Sequence, residues 1–84
     1  MTDAAIMVAE ITKNSSESIR VVLDTFKGHQ LVDLRVFAAF SVASVPMPTK
    51  KGLSVNVALI PDLIVALQQA QEKAHSLGWI GGEA

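Results

Sequence analysis

Five of the chain's seven basic side chains, Arg20, Lys27, Arg35, Lys50 and Lys51, fall between Ser18 and Gly52. The chemistry available to them is charge neutralisation: guanidinium forks and ammonium groups hold phosphate oxygens. Asp24 and Asp33 are the only acids in that stretch, which leaves it at +3, while the remainder of the chain carries −4 and the whole −1. The total argues against a nucleic-acid partner. The asymmetry points instead to a one-sided partner surface, with ordinary charge scatter as the bland alternative.

Other chemistry is poorly supplied. There is no cysteine, which excludes disulfides, thiolate nucleophiles and cysteine-based zinc sites. His29 and His75 fall on different elements without metal-ligand spacing, so neither a metal nor another cofactor is expected. The Thr49–Ser54 segment has lysines and a glycine but lacks the glycine-rich cradle of a P-loop. The serines have no base within reach. An enzyme is not expected.

The elements that must position the cations follow from pattern. Residues 18–26 and 29–38 alternate as strands around a two-residue Lys27-Gly28 turn, in which Gly28 supplies positive φ. That loop pairs positions whose numbers sum to 55. One face then carries Ile19, Val21, Leu23, Val32, Leu34 and Val36, and the other Ser18, Arg20, Asp24, Phe26, His29, Asp33, Arg35 and Phe37. A slip of one residue would scramble this sorting. Arg20 stands directly opposite Arg35, which is unfavourable unless an anion is near. The candidates are Asp24 and Asp33, or a bound phosphate.

Before the hairpin, residues 6–13 are expected to form a strand on their β-branched content, although Ala4, Ala5 and an Asp3 cap would suit a short helix. Asn14-Ser15-Ser16-Glu17 reads as a turn. After the hairpin, residues 39–49 are expected to extend the second strand and then form a loop, with Pro46 and Pro48 excluding a central ladder. Residues 52–57 alternate as a strand. A helix over 61–77 starts at Pro61 as its first residue, with Asp62 in the first turn and Gly78 and Trp79 as its stop.

Eighty-four residues make a single domain, residues 1–84, with a marginal core. Half the residues are hydrophobic and mean hydropathy is +0.40, a surplus that usually ends in a subunit interface. The helix stripe runs Leu63, Ile64, Leu67, Ala70, Ala74, Leu77. Its early part suits sheet cover, and Leu67, Ala70, Ala74 and Leu77 permit close approach of a second helix in a homodimer. The longest apolar stretch, 36–48, is too short to span a bilayer, which takes about 20 residues. With no basic N-terminal signal, a soluble cytoplasmic protein is expected.

In order, Arg20-Val21-Val22-Leu23-Asp24-Thr25-Phe26-Lys27-Gly28, Leu31-Val32-Asp33-Leu34-Arg35, Pro48-Thr49-Lys50-Lys51-Gly52-Leu53-Ser54-Val55 and a helix opened by Pro61 closely resemble the C-terminal domain of the eukaryotic transcriptional coactivator positive cofactor 4 and its small bacterial and phage relatives. The resemblance spans about residues 6–77. It implies an α+β fold: a curved four-stranded antiparallel sheet followed by one long C-terminal helix, dimerising through the helices. It also implies single-stranded DNA in the channel between two sheets, with phosphates gripped by cations and bases stacked on aromatic rings. The family's binding residues fall at Phe26, Lys27, Arg35 and Lys51, with Lys50 at a further basic position. His29 stands where the family often has lysine. Ala38 stands where it has a stacking tryptophan, with Phe37 alongside.

The resulting expectation is a sequence-tolerant single-stranded DNA-binding homodimer, with RNA an open alternative ligand, working on melted DNA with transcription or replication and repair proteins. In a bacterium it would be nucleoid-associated. Arg20, Lys27, Arg35, Lys50 and Lys51 would serve phosphates, Phe26 and Phe37 bases, and His29 would be a further nucleic-acid contact. The alternative is a dimeric protein-interaction module of the same fold with weak or no DNA binding.

Overall fold

The computed structural model describes residues 5–80. Four strands, β1 (Ile6–Thr12), β2 (Glu17–Phe26), β3 (His29–Ala38) and β4 (Met47–Asn56), form one antiparallel sheet in the order β1-β2-β3-β4. A 3-10 turn over Val57–Leu59 leads into helix α1 (Ile60–Ser76). The first strand is where β-branched content places it; Asp3, the cap of the alternative helix, lies outside the described residues.

The β2–β3 hairpin has the expected register along its whole length, from Phe26 opposite His29 to Ser18 opposite Phe37. Lys27 and Gly28 have φ of 52° and 82°. Positive φ at both central positions makes a type I′ turn, whose twist matches that of the flanking strands. At the other end, the Asn14 carboxamide oxygen accepts from the Ser16 and Glu17 amides at 3.0 and 2.9 Å, an Asx turn joining β1 to β2.

Both outer strands depart from ideal pairing. In β1, Met7 pairs with Val22 but Ala9 with Val21, so Val8 is a bulged extra residue. In β4, Gly52 pairs with Arg35 and Pro48 with Phe37, leaving Thr49, Lys50 and Lys51 opposite Val36 alone. This corrects the expectation that 39–49 extends the second strand and then loops: β3 ends at Ala38, only 39–46 is loop, and the next strand begins at Met47. Pro48 is tolerated because β4 lies at the edge of the sheet.

Helix α1 begins at Ile60, one residue before expectation, so Pro61 is its second residue. The capping interaction belongs to the preceding turn, where the Asn56 side chain accepts from the Ala58 amide at 2.8 Å. Asp62 lies in the first turn and Lys73 and His75 in the last, each favourable to the helix dipole. Gly78 (φ 80°) closes the helix. Its amide donates to His75 and the Trp79 amide to Ala74, at 3.0 and 2.9 Å, the two bonds of a Schellman motif.

Ile60, Leu63, Ile64 and Leu67 face Val8, Val21, Leu23, Val32 and Leu34 across an open apolar crevice of about 350 Å³. Val32, 4% exposed, is the only buried hydrophobic residue among those described. The accessible surface is 6508 Å², against about 4,800 Å² for a compact monomer of this mass. The radius of gyration is 15.3 Å, where a compact chain of this length has about 12 Å.

Candidate nucleic-acid interface

The sheet face turned away from α1 carries the polar side of the hairpin. Across its centre Arg20 and Arg35 are directly opposed. Each guanidinium has its own carboxylate. Arg20 Nε donates to Glu10 Oε2 at 3.3 Å. Arg35 makes a forked pair with Asp33, Nε to Oδ2 at 3.0 Å and Nη2 to Oδ1 at 2.8 Å. Asp24 serves neither arginine; its carboxylate accepts from the Thr25 amide at 2.7 Å. Of the two acids expected to balance the arginines, Asp33 does so for Arg35, and Glu10 on β1 takes the part assigned to Asp24.

Glu10 could be found only through the Val8 bulge. Without the extra residue, the β1–β2 register set by Met7 and Val22 would put Ala9 opposite Arg20; with it, Glu10 is there. Hydrogen bonds from Ser18 and then Arg20 hold the Glu10 carboxyl below its ordinary range. Asp33 raises the Arg35 pKa by its hydrogen bonds.

The remaining cations are differently placed. Lys27, Lys50 and Lys51 are exposed and make no ion pair among the described residues. Lys27 projects from the I′ turn with its Nζ 5.3 Å from the centre of the Phe26 ring, which is 60% exposed. Lys50 and Lys51 occupy the β4 bulge. The bulge is organised by Thr49, whose hydroxyl donates to the Val36 carbonyl at 2.8 Å and accepts from the Lys51 amide at 3.1 Å. Arg35 Nη1 donates to the Thr49 carbonyl at 3.1 Å. Thr49 was not singled out from sequence. The signal was available, a threonine two residues before a Lys-Gly step, but its meaning depended on knowing that 49–51 bulges.

Gly52 closes the bulge against β3. A Cβ there would press on the Leu34 carbonyl oxygen and lie 2.8 Å from Arg35 Cα, so only glycine permits the approach. Phe37 is half-buried, paired across the ladders with Ser18 and Pro48. His29 is exposed beside the turn, opposite Phe26. From that rung to the Arg20–Arg35 rung the face extends about 20 Å, at about 3.3 Å per residue. The polar face thus carries Arg20, Phe26, His29, Arg35 and Phe37, with the exposed Lys27 at the turn and the exposed Lys50 and Lys51 in the bulge of the edge strand.

The family model of the transcriptional coactivator p15 (PC4) matches residues 13–66. The chain belongs to the PC4 family. The matched segment contains β2, β3, β4 and the first turns of α1. Among solved structures, a PC4 homologue from Burkholderia pseudomallei is similar in two crystal forms. The orthorhombic form is 25% identical, covers 82% of this chain and 92% of the homologue, and has a TM-score of 0.73. The tetragonal form is 24% identical over 81% and 98%, also with a TM-score of 0.73. A bacteriophage T5 homologue of the coactivator, implicated in recombination-dependent DNA replication, is 19% identical over 86% of this chain and 82% of its own, with a TM-score of 0.66. No curated protein matches the chain significantly. The open four-stranded antiparallel sheet followed by one helix is the PC4 fold, as the resemblance implied. PC4 is a family of coactivators, consistent with the lack of an expected catalytic constellation. Among the described residues no helix is long and apolar enough to cross a membrane.

Proposed function

We propose that the chain is a sequence-tolerant single-stranded nucleic-acid-binding protein that works as a homodimer on melted DNA, in transcription or in replication and repair. The observation that carries this is an exposed ring accompanied by exposed cations that make no ion pair among the described residues: Phe26 and Lys27 at the hairpin turn, Lys50 and Lys51 at the bulge of the adjoining edge strand. Base stacking contributes about 1–3 kcal/mol per base whatever the sequence. Phosphate neutralisation supplies affinity that falls as salt rises. Membership of a coactivator family, and likeness to a phage homologue implicated in DNA replication, support the same reading.

The dimer is supported by the surplus surface of the single chain, about 1,700 Å² beyond a compact monomer. Leu67, Ala70 and Leu77 are exposed and Ala74 half-buried along the part of α1 suited to a second helix. Residues 6–13 and 18–57 then form the sheet and its ligand face, and 61–77 the cover and dimer seam, of one intracellular domain.

The test is titration of labelled oligo-dT at several salt concentrations, with a solution mass. Salt-sensitive binding, preference over duplex and a mass near twice 8.9 kDa are expected. Absent binding at low salt, or preference for duplex, overturns the ligand; a monomeric mass overturns the dimer. Oligo-U alongside oligo-dT separates RNA from DNA.

A protein-interaction role is the second reading, favoured by the loop between β3 and β4, where Phe40 is 90% exposed and Val45 73%. A stable protein partner recovered by pull-down, with no oligo-dT shift at low salt, would favour it.

A further inference from the structure

We propose that Asp33 is a positioning residue for the cationic bulge: through Arg35 it holds the Thr49 carbonyl and so fixes where Lys50 and Lys51 present their ammonium groups. The inference rests on the single-strand reading above. It runs against simple electrostatics, because Asp33 places a carboxylate on the face that would meet a polyanion, where its charge alone opposes binding.

The geometry gives the carboxylate another use. Both its oxygens accept from Arg35, from Nε at 3.0 Å and Nη2 at 2.8 Å. A fork so held cannot rotate, and its remaining nitrogen, Nη1, meets the Thr49 carbonyl at 3.1 Å. The Thr49 hydroxyl bridges the Val36 carbonyl and the Lys51 amide. A continuous polar chain therefore runs Asp33, Arg35, Thr49, Lys51. The pair is only 22–24% exposed, so it is screened less than a surface ion pair. Three residues of β4 face the single Val36, so regular ladder bonds cannot hold this segment, and side-chain bonds take their place. Each of the three Arg35 nitrogens donates within the protein, which makes Arg35 a strut of the bulge.

The test compares Asp33→Asn and Arg35→Lys with the wild type. Readouts are oligo-dT affinity, its salt slope, amide exchange at Lys51 and thermal unfolding. Asp33→Asn, although it removes a negative charge, is expected to bind roughly three- to tenfold more weakly, with the salt slope shallower by up to about 1.4, the share of two phosphates on a single strand. Lys51 should exchange faster while the β2 amides do not. Arg35→Lys keeps the charge but loses the fork, and should show the same changes. Adding Asp33→Asn to Lys50→Ala/Lys51→Ala should cause little further loss. Equal or tighter binding by Asp33→Asn at an unchanged slope overturns the proposal, as does wild-type affinity and slope in Arg35→Lys. Should the wild type itself not bind oligo-dT, the ligand reading fails separately; Lys51 exchange then decides the strut, and an unchanged rate overturns it.

Discussion

The Arg20 guanidinium lies 4.4 Å from the centre of the Phe37 ring, on a diagonal of the β2–β3 ladder. Glu10 keeps it there. One face of Phe37 is thus covered by the protein's own cation, in an interaction of about 0.5–1 kcal/mol at an exposed site. Phe26 also has a cation near its ring, Lys27 at 5.3 Å, but is 60% exposed where Phe37 is half-buried, and is the more open ring.

Phe26→Ala should therefore weaken oligo-dT binding by about 1–3 kcal/mol, the value of one stacked base. Phe37→Ala should weaken it less and lower thermal stability more. Fluorescence titration and thermal melts of both variants measure this; the opposite ranking would make Phe37 the principal stacking residue.

Lys27 holds φ at 52°, a conformation costing a lysine about 1–2 kcal/mol. Lys27→Asn, with the residue preferred in I′ turns, should raise stability by about 0.5–1 kcal/mol. It should at the same time lower oligo-dT affinity and flatten its salt dependence through the lost charge. Denaturant unfolding at fixed protein concentration and a salt series report the two effects separately; a turn that only shapes the hairpin would gain stability with no change in binding.

Gly52→Ala forces a methyl group against the Leu34 carbonyl and Arg35. A loss of about 1–3 kcal/mol is expected, the usual cost of a forbidden backbone or overpacked contact. The loss should come with altered amide shifts at Lys50 and Lys51, observable by NMR. Gly28→Ala, which meets open space, should cost about 1 kcal/mol through φ alone and leave the bulge signals unmoved.

Two carboxylates are held below the ordinary value of 4.5: Glu10 by Ser18 and Arg20, Glu17 by Asn14 and Lys13. A depressed folded-state pKa contributes stability that is present above the unfolded value and is lost as pH falls through the folded one. Thermal stability should fall as the pH drops below the ordinary carboxylate value of 4.5, and that of Glu10→Gln/Glu17→Gln should fall less. Parallel pH profiles for the two proteins would remove these groups from acid sensitivity.

The hairpin was legible because two independent signals agreed, a turn that fixes register and a pattern that one register alone sorts into dry and polar faces. The helix stop at Gly78 and Trp79 was legible for a similar reason, being a local motif. What escaped were the bulges. Nothing in Met7-Val8-Ala9 marks an added residue, since all three are small or apolar and fit either face. Glu10 was therefore not connected to Arg20. Met47 and Pro48 read as loop because proline opposes a central strand, and a sequence does not say which strand is outermost. The residues of the candidate face could accordingly be named from the sequence, while the division of its cations into anchored arginines and lysines without ion pairs required the register of both outer strands.

Those irregular outer strands have a consequence for solubility. An open sheet has two unpaired margins, each a template on which another copy could add strand after strand. Here Val8 buckles one margin, while Pro48, which carries no amide hydrogen, and the 49–51 bulge interrupt the other. A chain that is half hydrophobic is thereby guarded against growing into fibres along the very sheet it exposes.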